Sequence, residues 1–274
     1  MNNTLIIGAG NLGSNIAYGF IGVSDEKRPM QKVYIYDTNK KKEEQFEQYE
    51  KNIIFVKNLS LVLKKSKIII LAIKPKDFKD VCEKIKECIN KDAIVLSVMA
   101  GIKISSLKKE LPHNTKFVRL MTNLNIQVFQ GITAIYANNK VKNIDKKRIE
   151  TFWSALGEVY WLKSESKIND FTALIGSGPA YFIYFCECLV NIYKNFGLSK
   201  KDATLFVHKL MIGTAFLTDP YFSDIKYNQA IKKIASKGGT TEEALKILQK
   251  GQFASILNKS IKAAYEKAKS LDGK

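Results

Sequence analysis

Histidine is the scarcest chemistry-bearing residue of this chain: only His113 and His208 occur in 274 residues. Two imidazoles do not make a His-rich metal centre, neither stands in an HExxH pattern, and a serine–histidine triad is disfavoured on the same ground. Cysteine is nearly as sparse. Cys82, Cys88, Cys186 and Cys188 form no CxxC and no zinc spacing. They read as small apolar helix residues in a reducing compartment, and no metal is expected. Long hydrophobic runs are missing too: no stretch approaches the roughly 18 uncharged apolar residues of a membrane span. The N-terminus carries no basic segment leading into an apolar one, so a cytoplasmic protein without a membrane partner is the expectation. Acidic residues are short, 26 against 44 Lys and Arg, for a formal net charge of +18. That excess suggests nucleic acid until its distribution is read. Lys40 to Lys42, Lys64, Lys65, Lys108, Lys109, Lys146, Lys147, Lys232 and Lys233 are spread over nearly every element. They form no stripe and no aromatic interleaving, so no nucleic-acid partner is expected, although the charge draws small anions to the surface. There is no internal repeat.

What is present begins at once. Thr4-Leu-Ile-Ile runs into Gly8-Ala-Gly10-Asn11-Leu12-Gly13, followed by a helical stretch, a second strand Val33 to Tyr36, and Asp37. This is the strand–turn–helix–strand–acid order of a dinucleotide site. Gly8 permits the tight turn, Gly10 lets backbone approach a pyrophosphate, and Gly13 lets helix pack on strand. The phosphates then face free N–H groups at the helix start. An ordinary glycine-rich turn is the plainer alternative.

Residues 1–163 alternate strand and helix. Strands are predicted at 4–8, 32–37, 53–56, 67–73, 92–98, 115–121, 130–137 and 157–162, with helices near 11–21, 39–50, 59–65, 76–89, 103–110 and 143–155. Such alternation predicts an α/β Rossmann-type, parallel, doubly wound sheet, and Ile68 to Ile73 is the continuous apolar run of a central strand. From Ser164 to 274 no strand is evident; helices are predicted at 167–175, 179–196, 199–217, 224–235 and 241–271. Two of these are so apolar that they predict a dimer interface.

Three segments of the second half and the sheet edge carry chemistry. Ser236-Lys237-Gly238-Gly239-Thr240-Thr241-Glu242-Glu243 reads as a capping box, Thr240 with Glu243, after two glycines. It is either an anion nest that takes a small carboxylate, with Thr241 adding a hydroxyl, or a tight interhelical turn. Gly176-Ser177-Gly178-Pro179 reads first as a helix–helix crossing. Lys74-Pro75 ends the central strand where a cofactor edge lies. Asp37 accepts from a ribose 2′-OH and favours NADH, while Asn39, Lys40 and Lys41 offer a 2′-phosphate site that admits NADPH.

Taken in order along nearly the whole chain, these segments resemble Δ1-pyrroline-5-carboxylate reductase. The resemblance rests on the N-terminal glycine loop, Leu71-Ala72-Ile73-Lys74-Pro75, Ser97-Val98-Met99-Ala100-Gly101-Ile102 and Arg119-Leu120-Met121-Thr122-Asn123. The most specific parts are Asp170 to Tyr181 and Ser236 to Thr241. It implies a Rossmann domain and an all-α C-terminal dimerisation domain, a homodimer able to assemble into a ring of dimers, and reduction of the ring C=N of an imino acid by NADH or NADPH to give L-proline. It also implies a carboxylate site at Ser236, Gly238, Gly239, Thr240 and Thr241, with the Thr241 hydroxyl as the catalytic-site group that meets the ring nitrogen. Cofactor contacts are implied for Gly8, Gly10, Asn11, Leu12, Gly13, Asp37, Asn58, Ala72, Lys74 and Ala100. The chain departs from the family's Met-Pro-Asn-Thr-Pro at Met121 to Asn125, and has Lys237 where the family has proline. A divergent paralogue acting on another imine or hydroxy acid, and a non-catalytic nucleotide-binding regulator, are the alternatives.

Overall fold

The computed structural model describes residues 4–22, 32–49, 51–112, 115–219 and 226–272. His113, the first two positions of the helix predicted at 224–235 and the last position of that at 39–50 lie outside them. The chain divides into two compact units: Met1–Gly178 with Ala263–Lys274, and Pro179–Lys262.

Eight strands form the sheet of the first unit: β1 Thr4–Ile7, β2 Val33–Tyr36, β3 Ile53–Phe55, β4 Ile68–Leu71, β5 Ile94–Ser97, β6 Lys116–Met121, β7 Gly131–Ala137 and β8 Gly157–Trp161. Their order is β3-β2-β1-β4-β5-β6-β7-β8. β3 through β6 run parallel, as the sequence predicts. β7 pairs antiparallel with β6, and β8 follows β7 in parallel, so the last two strands run opposite to the rest and the expected all-parallel sheet is corrected there. The reason lies in the connections. Between β6 and β7 stands only a short 3-10 turn, Leu124–Val128, which cannot carry the chain back over the sheet. Between β7 and β8 lies the helix α5, Asn143–Trp153, which can.

Adjacent strand residues feed opposite faces. Ile6, Ile35, Ile70, Leu96 and Val118 join a core with Ile16, Phe152 and Trp153. Leu5, Ile7, Ile69, Val95 and Phe117 join another with Phe78, Cys82 and Leu107. The helices that cover these faces are α1 Asn11–Gly22, α2 Leu59–Leu63, α3 Phe78–Ile85, α4 Ile104–Glu110 and α5. The run predicted as a helix at 39–50 is 3-10, Lys40–Tyr49. It anchors by Phe46, which is 2 % exposed. After β8 come α6 Ile168–Phe171 and a π turn, Thr172–Gly176.

The second unit holds α7 Gly178–Asn195 from Pro179 on, α8 Lys200–Leu217, α9 Tyr227–Ile234, α10 Thr240–Lys250 and the start of α11 Phe253–Leu271. The single helix predicted over 241–271 is two. Gly251 caps α10, and Gln252 takes φ +54°, a left-handed backbone that ends a right-handed helix. Glu165–Asn195 is, by length and composition alone, apolar enough to cross a membrane, contrary to the expectation that no such stretch exists.

Candidate active site

The crossover in strand order falls between β1 and β4, where open α/β sheets bind ligands beyond the carboxyl ends of their strands. Five of the strands deliver the expected cofactor residues to that end. Gly8 to Gly13 follow β1, Asp37 follows β2, Asn58 stands between β3 and α2, Ala72 and Lys74 follow β4, and Ala100 follows β5.

The glycine turn has two walled positions and one open one. Gly8 has φ +106°, and a Cβ there would sit 2.4 Å from the Ala72 carbonyl oxygen. A Cβ at Gly13 would sit 2.0 Å from the Gly8 carbonyl oxygen. At Gly10 nothing lies within 4 Å. Gly8 and Gly13 are thus required by the protein's own packing, whereas Gly10 borders free space and exposed backbone at the start of α1. The N–H groups of Asn11, Leu12 and Gly13 occupy the first helical turn, which has no intrahelical acceptors. That arrangement fits a pyrophosphate. The Gly8 N–H donates to the Tyr36 carbonyl at 2.8 Å, the Ala72 N–H to the Ile7 carbonyl at 2.8 Å, and the Ala9 N–H to Asp37 Oδ2 at 2.8 Å. The turn, Ala72 and Asp37 are therefore brought together. Asn58 caps α2 by accepting the Leu61 N–H at 3.4 Å. Lys74 is exposed ahead of Pro75, and Ala100 precedes Gly101, whose φ is +77°. These three share the sheet's carboxyl end.

The second glycine pair opens α10. Gly238 has φ +73°, and the Gly239 N–H donates to the Ser236 carbonyl at 3.0 Å. The expected Thr240–Glu243 capping box is not there. The N-cap is Gly239, Thr240 is already helical, and Glu243 binds Lys246 at 2.7 Å. Its neighbour Glu242 turns back instead, and its Oε2 accepts the Gly238 N–H at 2.6 Å. The frame is displaced by one residue because Gly239, free of a side chain, takes the extended cap position. The consequence is chemical: backbone N–H at this turn does bind a carboxylate, and in this chain the carboxylate is its own. Thr241 lies on the first turn, half-buried, and Thr240 is exposed.

β6 also carries a buried charge to which no role is assigned from the sequence. Arg119 is 1 % exposed, between the apolar Val118 and Leu120. Its guanidinium donates to Glu165 Oε1 at 3.2 Å and Asp272 Oδ1 at 2.7 Å. Asp272 Oδ2 accepts from Asn169 Nδ2 at 2.7 Å, and Glu165 Oε1 also accepts the Ile104 N–H at 2.7 Å. An arginine between Val118 and Leu120 was the available signal; its partners are too distant in sequence to read. Asn123, 6 % exposed, holds the start of β7 through the Ile132 N–H and donates to the Ile175 carbonyl in the π turn. Among the thiols, burial pushes Cys82 up to about 12, with Glu110 adding to the effect, so it is inert packing. Among the described residues no group of His, Cys, Asp and Glu is set to hold a metal.

Two family models match the chain. Residues 165–271 match the family model described as pyrroline-5-carboxylate reductase dimerisation, and residues 4–101 match the model described as NADP oxidoreductase, coenzyme F420-dependent. A pyrroline-5-carboxylate reductase of Aquifex aeolicus is 31% identical over 97% of this chain and 96% of its own. The structure of a pyrroline-5-carboxylate reductase from Coxiella burnetii is similar at TM-score 0.87 and 29% identity, covering 99% of each chain. That of Plasmodium falciparum pyrroline carboxylate reductase with NADP bound shares the fold at TM-score 0.86 and 24% identity, covering 99% of this chain and 98% of its own.

Proposed function

The chain belongs to the pyrroline-5-carboxylate reductase family, and on that premise we propose that it reduces the C=N bond of 1-pyrroline-5-carboxylate to L-proline, the last step of proline biosynthesis, with NADH or NADPH. The observation that carries the reading is the first glycine turn. Its backbone is walled at Gly8 and Gly13 and open at Gly10, at the crossover of the sheet.

The dinucleotide, when bound, supplies a hydride. The rest is work for this chain's residues. Gly10, Asn11, Leu12 and Gly13 hold the phosphates by backbone N–H, and Ala72, Lys74, Ala100 and Asn58 border the cofactor at the strand ends. The turn Ser236, Gly238, Gly239, Thr240 and Thr241 receives the substrate carboxylate, through the first-turn N–H groups of Thr240 and Thr241 and that of Gly238 once Glu242 gives it up. Thr241 orients the ring nitrogen. A protonated iminium is already electrophilic, so the site needs no protein acid; it has to supply proximity and orientation. The labour divides between a dinucleotide domain at 1–163 and a helical domain at 164–274.

We further infer a homodimer, open to assembly as a ring of dimers. Phe182, Ile183, Tyr184, Leu210 and Phe216 are exposed on α7 and α8, inside the segment that matches the dimerisation model. The same self-association accounts for the apolar Glu165–Asn195 stretch without a membrane. Four free thiols agree with a cytoplasmic setting.

The test is oxidation of NADPH and NADH with pyrroline-5-carboxylate as acceptor, and with its six-membered homologue alongside. Turnover of the five-membered ring is expected; no turnover of either ring rejects the reductase reading. Thr241→Ala is expected to lower kcat and raise KM for the imino acid. If it changes neither, the orienting role is wrong.

A further inference from the structure

We propose that a cavity at the end of α11 is a second small-molecule site, and that it takes an acidic amino acid through an α-ammonium and two carboxylates. It lies wholly within the sheet-bearing unit and uses none of the residues assigned above to cofactor or imino acid. It does not depend on the reductase reading.

Three helix ends build it. On α11, Tyr265 and Lys269 stand four residues apart and share a face, and Asp272 follows directly beyond the helix end. Glu165 and Asn169, also four apart, come from the turn that runs into α6. Lys103 is the residue before α4. The cavity they line measures about 380 Å³, inside the roughly 300–1,000 Å³ range of small-molecule sites. Asn169 and Asp272 are buried, and Lys269 is exposed at the rim.

The charges here are not all spent on one another. Asp272 is fully engaged: Oδ1 accepts from Arg119 and Oδ2 from Asn169, both at 2.7 Å. Glu165 is half engaged. Its Oε1 accepts from Arg119 and from the Ile104 N–H, while its Oε2 accepts from nothing among the described residues. Arg119, behind both carboxylates, keeps a buried Nε without a partner. Lys103 comes within 3.9 Å of Asp272, whose oxygens are already bonded. Lys269 has no ion pair among the described residues. Three cations thus face two carboxylates, and the two lysines sit on flexible stems that can close on a guest.

That inventory selects the guest. Two ammonium groups call for two carboxylates, and the open Glu165 oxygen calls for a cationic N–H donor. A phosphate or a plain dicarboxylate has no such donor and brings negative charge against Glu165. An amino acid with a side-chain carboxylate supplies both signs, and its single net negative charge cancels the excess of the site. The Tyr265 hydroxyl adds a further donor. A patch that only pinned α11 to the sheet would pair Glu165 with one of the lysines, and it pairs with neither.

The experiment is titration calorimetry of the full-length protein at low salt with L-glutamate, L-glutamine and glutarate. L-Glutamate is expected to bind saturably, with a dissociation constant of about 1 mM or tighter. L-Glutamine has the same shape without the second carboxylate, and glutarate has both carboxylates without the ammonium. Each is expected to bind about tenfold more weakly or worse, because each leaves a charged group of the site unpaired. Lys103→Ala with Lys269→Ala is expected to weaken L-glutamate about tenfold or more and to leave KM for the imino acid within about twofold. Thr241→Ala is expected to leave L-glutamate affinity unchanged. No saturation by about 20 mM L-glutamate overturns the proposal. So does L-glutamine or glutarate binding as tightly as L-glutamate, since the site then fails to read one of the two signs. An affinity that survives loss of both lysines but falls in Thr241→Ala overturns it as well, because the ligand is then at the imino-acid turn. A wild type that binds L-glutamate in the expected pattern yet reduces no imino acid upholds this site and rejects the reductase reading alone.

Discussion

Asp272→Ala should destabilise the sheet-bearing unit by about 3 kcal/mol, because it takes a counterion from the buried Arg119. Its side chain is 1 % exposed and Asp272 is 5 % exposed, so their 2.7 Å contact has little water to fall back on. Removing one partner of a buried pair typically costs about 3–5 kcal/mol, because a charge stays behind without its counterion. Glu165 remains on Arg119 at 3.2 Å, which places the cost at the low end. Asn169 Nδ2 loses its acceptor as well, worth about 1 kcal/mol. Lys103, 3.9 Å from Asp272 and 43 % exposed, adds little. Asp272→Asn keeps the volume and an acceptor for one neighbour, and should cost about 2 kcal/mol. Equilibrium urea unfolding followed by tryptophan emission is the assay, since both tryptophans, Trp153 and Trp161, lie in that unit. Adding Arg119→Met to Asp272→Ala should recover part of the loss, because Glu165 keeps the Ile104 N–H and reaches solvent at 22 % exposure. A loss below about 1 kcal/mol for Asp272→Ala, or a double variant as costly as the sum of the singles, would refute the argument.

The glycine turn offers a contrast: Gly13→Ala puts a Cβ 2.0 Å from a backbone oxygen, whereas Gly10→Ala meets nothing within 4 Å. The first should lower the melting stability by at least about 2 kcal/mol, and the second should leave it within about 0.5 kcal/mol yet weaken dinucleotide binding; similar melts for the two would contradict the packing analysis. Removing the carboxylate that occupies the Gly238 N–H, by Glu242→Ala, should lower KM for the imino acid about threefold or more, read from initial rates; a raised KM would mean that Glu242 supports the turn instead of competing for it. Cys82 titrates at about 12 folded against an ordinary 9.0. Above the lower value the unfolded chain has lost the proton that the folded chain keeps, so stability falls as pH rises through that window, by up to about 1.4 kcal/mol per pH unit. Cys82→Ala should flatten that alkaline slope, and an unchanged slope would assign it to other groups.

All eight strands were legible because each is a short run rich in β-branched, aromatic or other apolar residues, bounded by polar or glycine segments. The direction of β7 was not. Parallel and antiparallel partners look alike from within a strand, and only the content of the link between Met121 and Gly131 separates them. Helix existence was legible where apolar residues recur at helical spacing, but the stop at Gly251-Gln252 was not, since the pattern of α10 continues into α11 and a left-handed residue leaves no periodic trace. At the first glycine turn the residue types alone predicted the geometry, because only glycine fits positions 8 and 13. At the second, two adjacent glutamates competed for one cap, and a choice between Glu242 and Glu243 turns on which residue takes the extended position. The Arg119 cluster was invisible for a different reason: it joins β6 to the residue that follows α11, and no local rule spans that distance.

That cluster belongs to a unit whose chain is discontinuous. The sheet-bearing body is made of Met1–Gly178 and Ala263–Lys274, with all of Pro179–Lys262 translated between them. Ribosomal synthesis proceeds from the N-terminus, and domains generally fold as units in that order. This one cannot finish in that order. Until Leu271 and Asp272 leave the ribosome, Arg119 lacks Asp272 and Gly101 lacks the Leu271 backbone that packs against it. The segment that completes the sheet-bearing body is made after the whole of Pro179–Lys262, so a chain cut short before Leu271 releases a sheet whose Arg119 has Glu165 alone and whose Gly101 is uncovered.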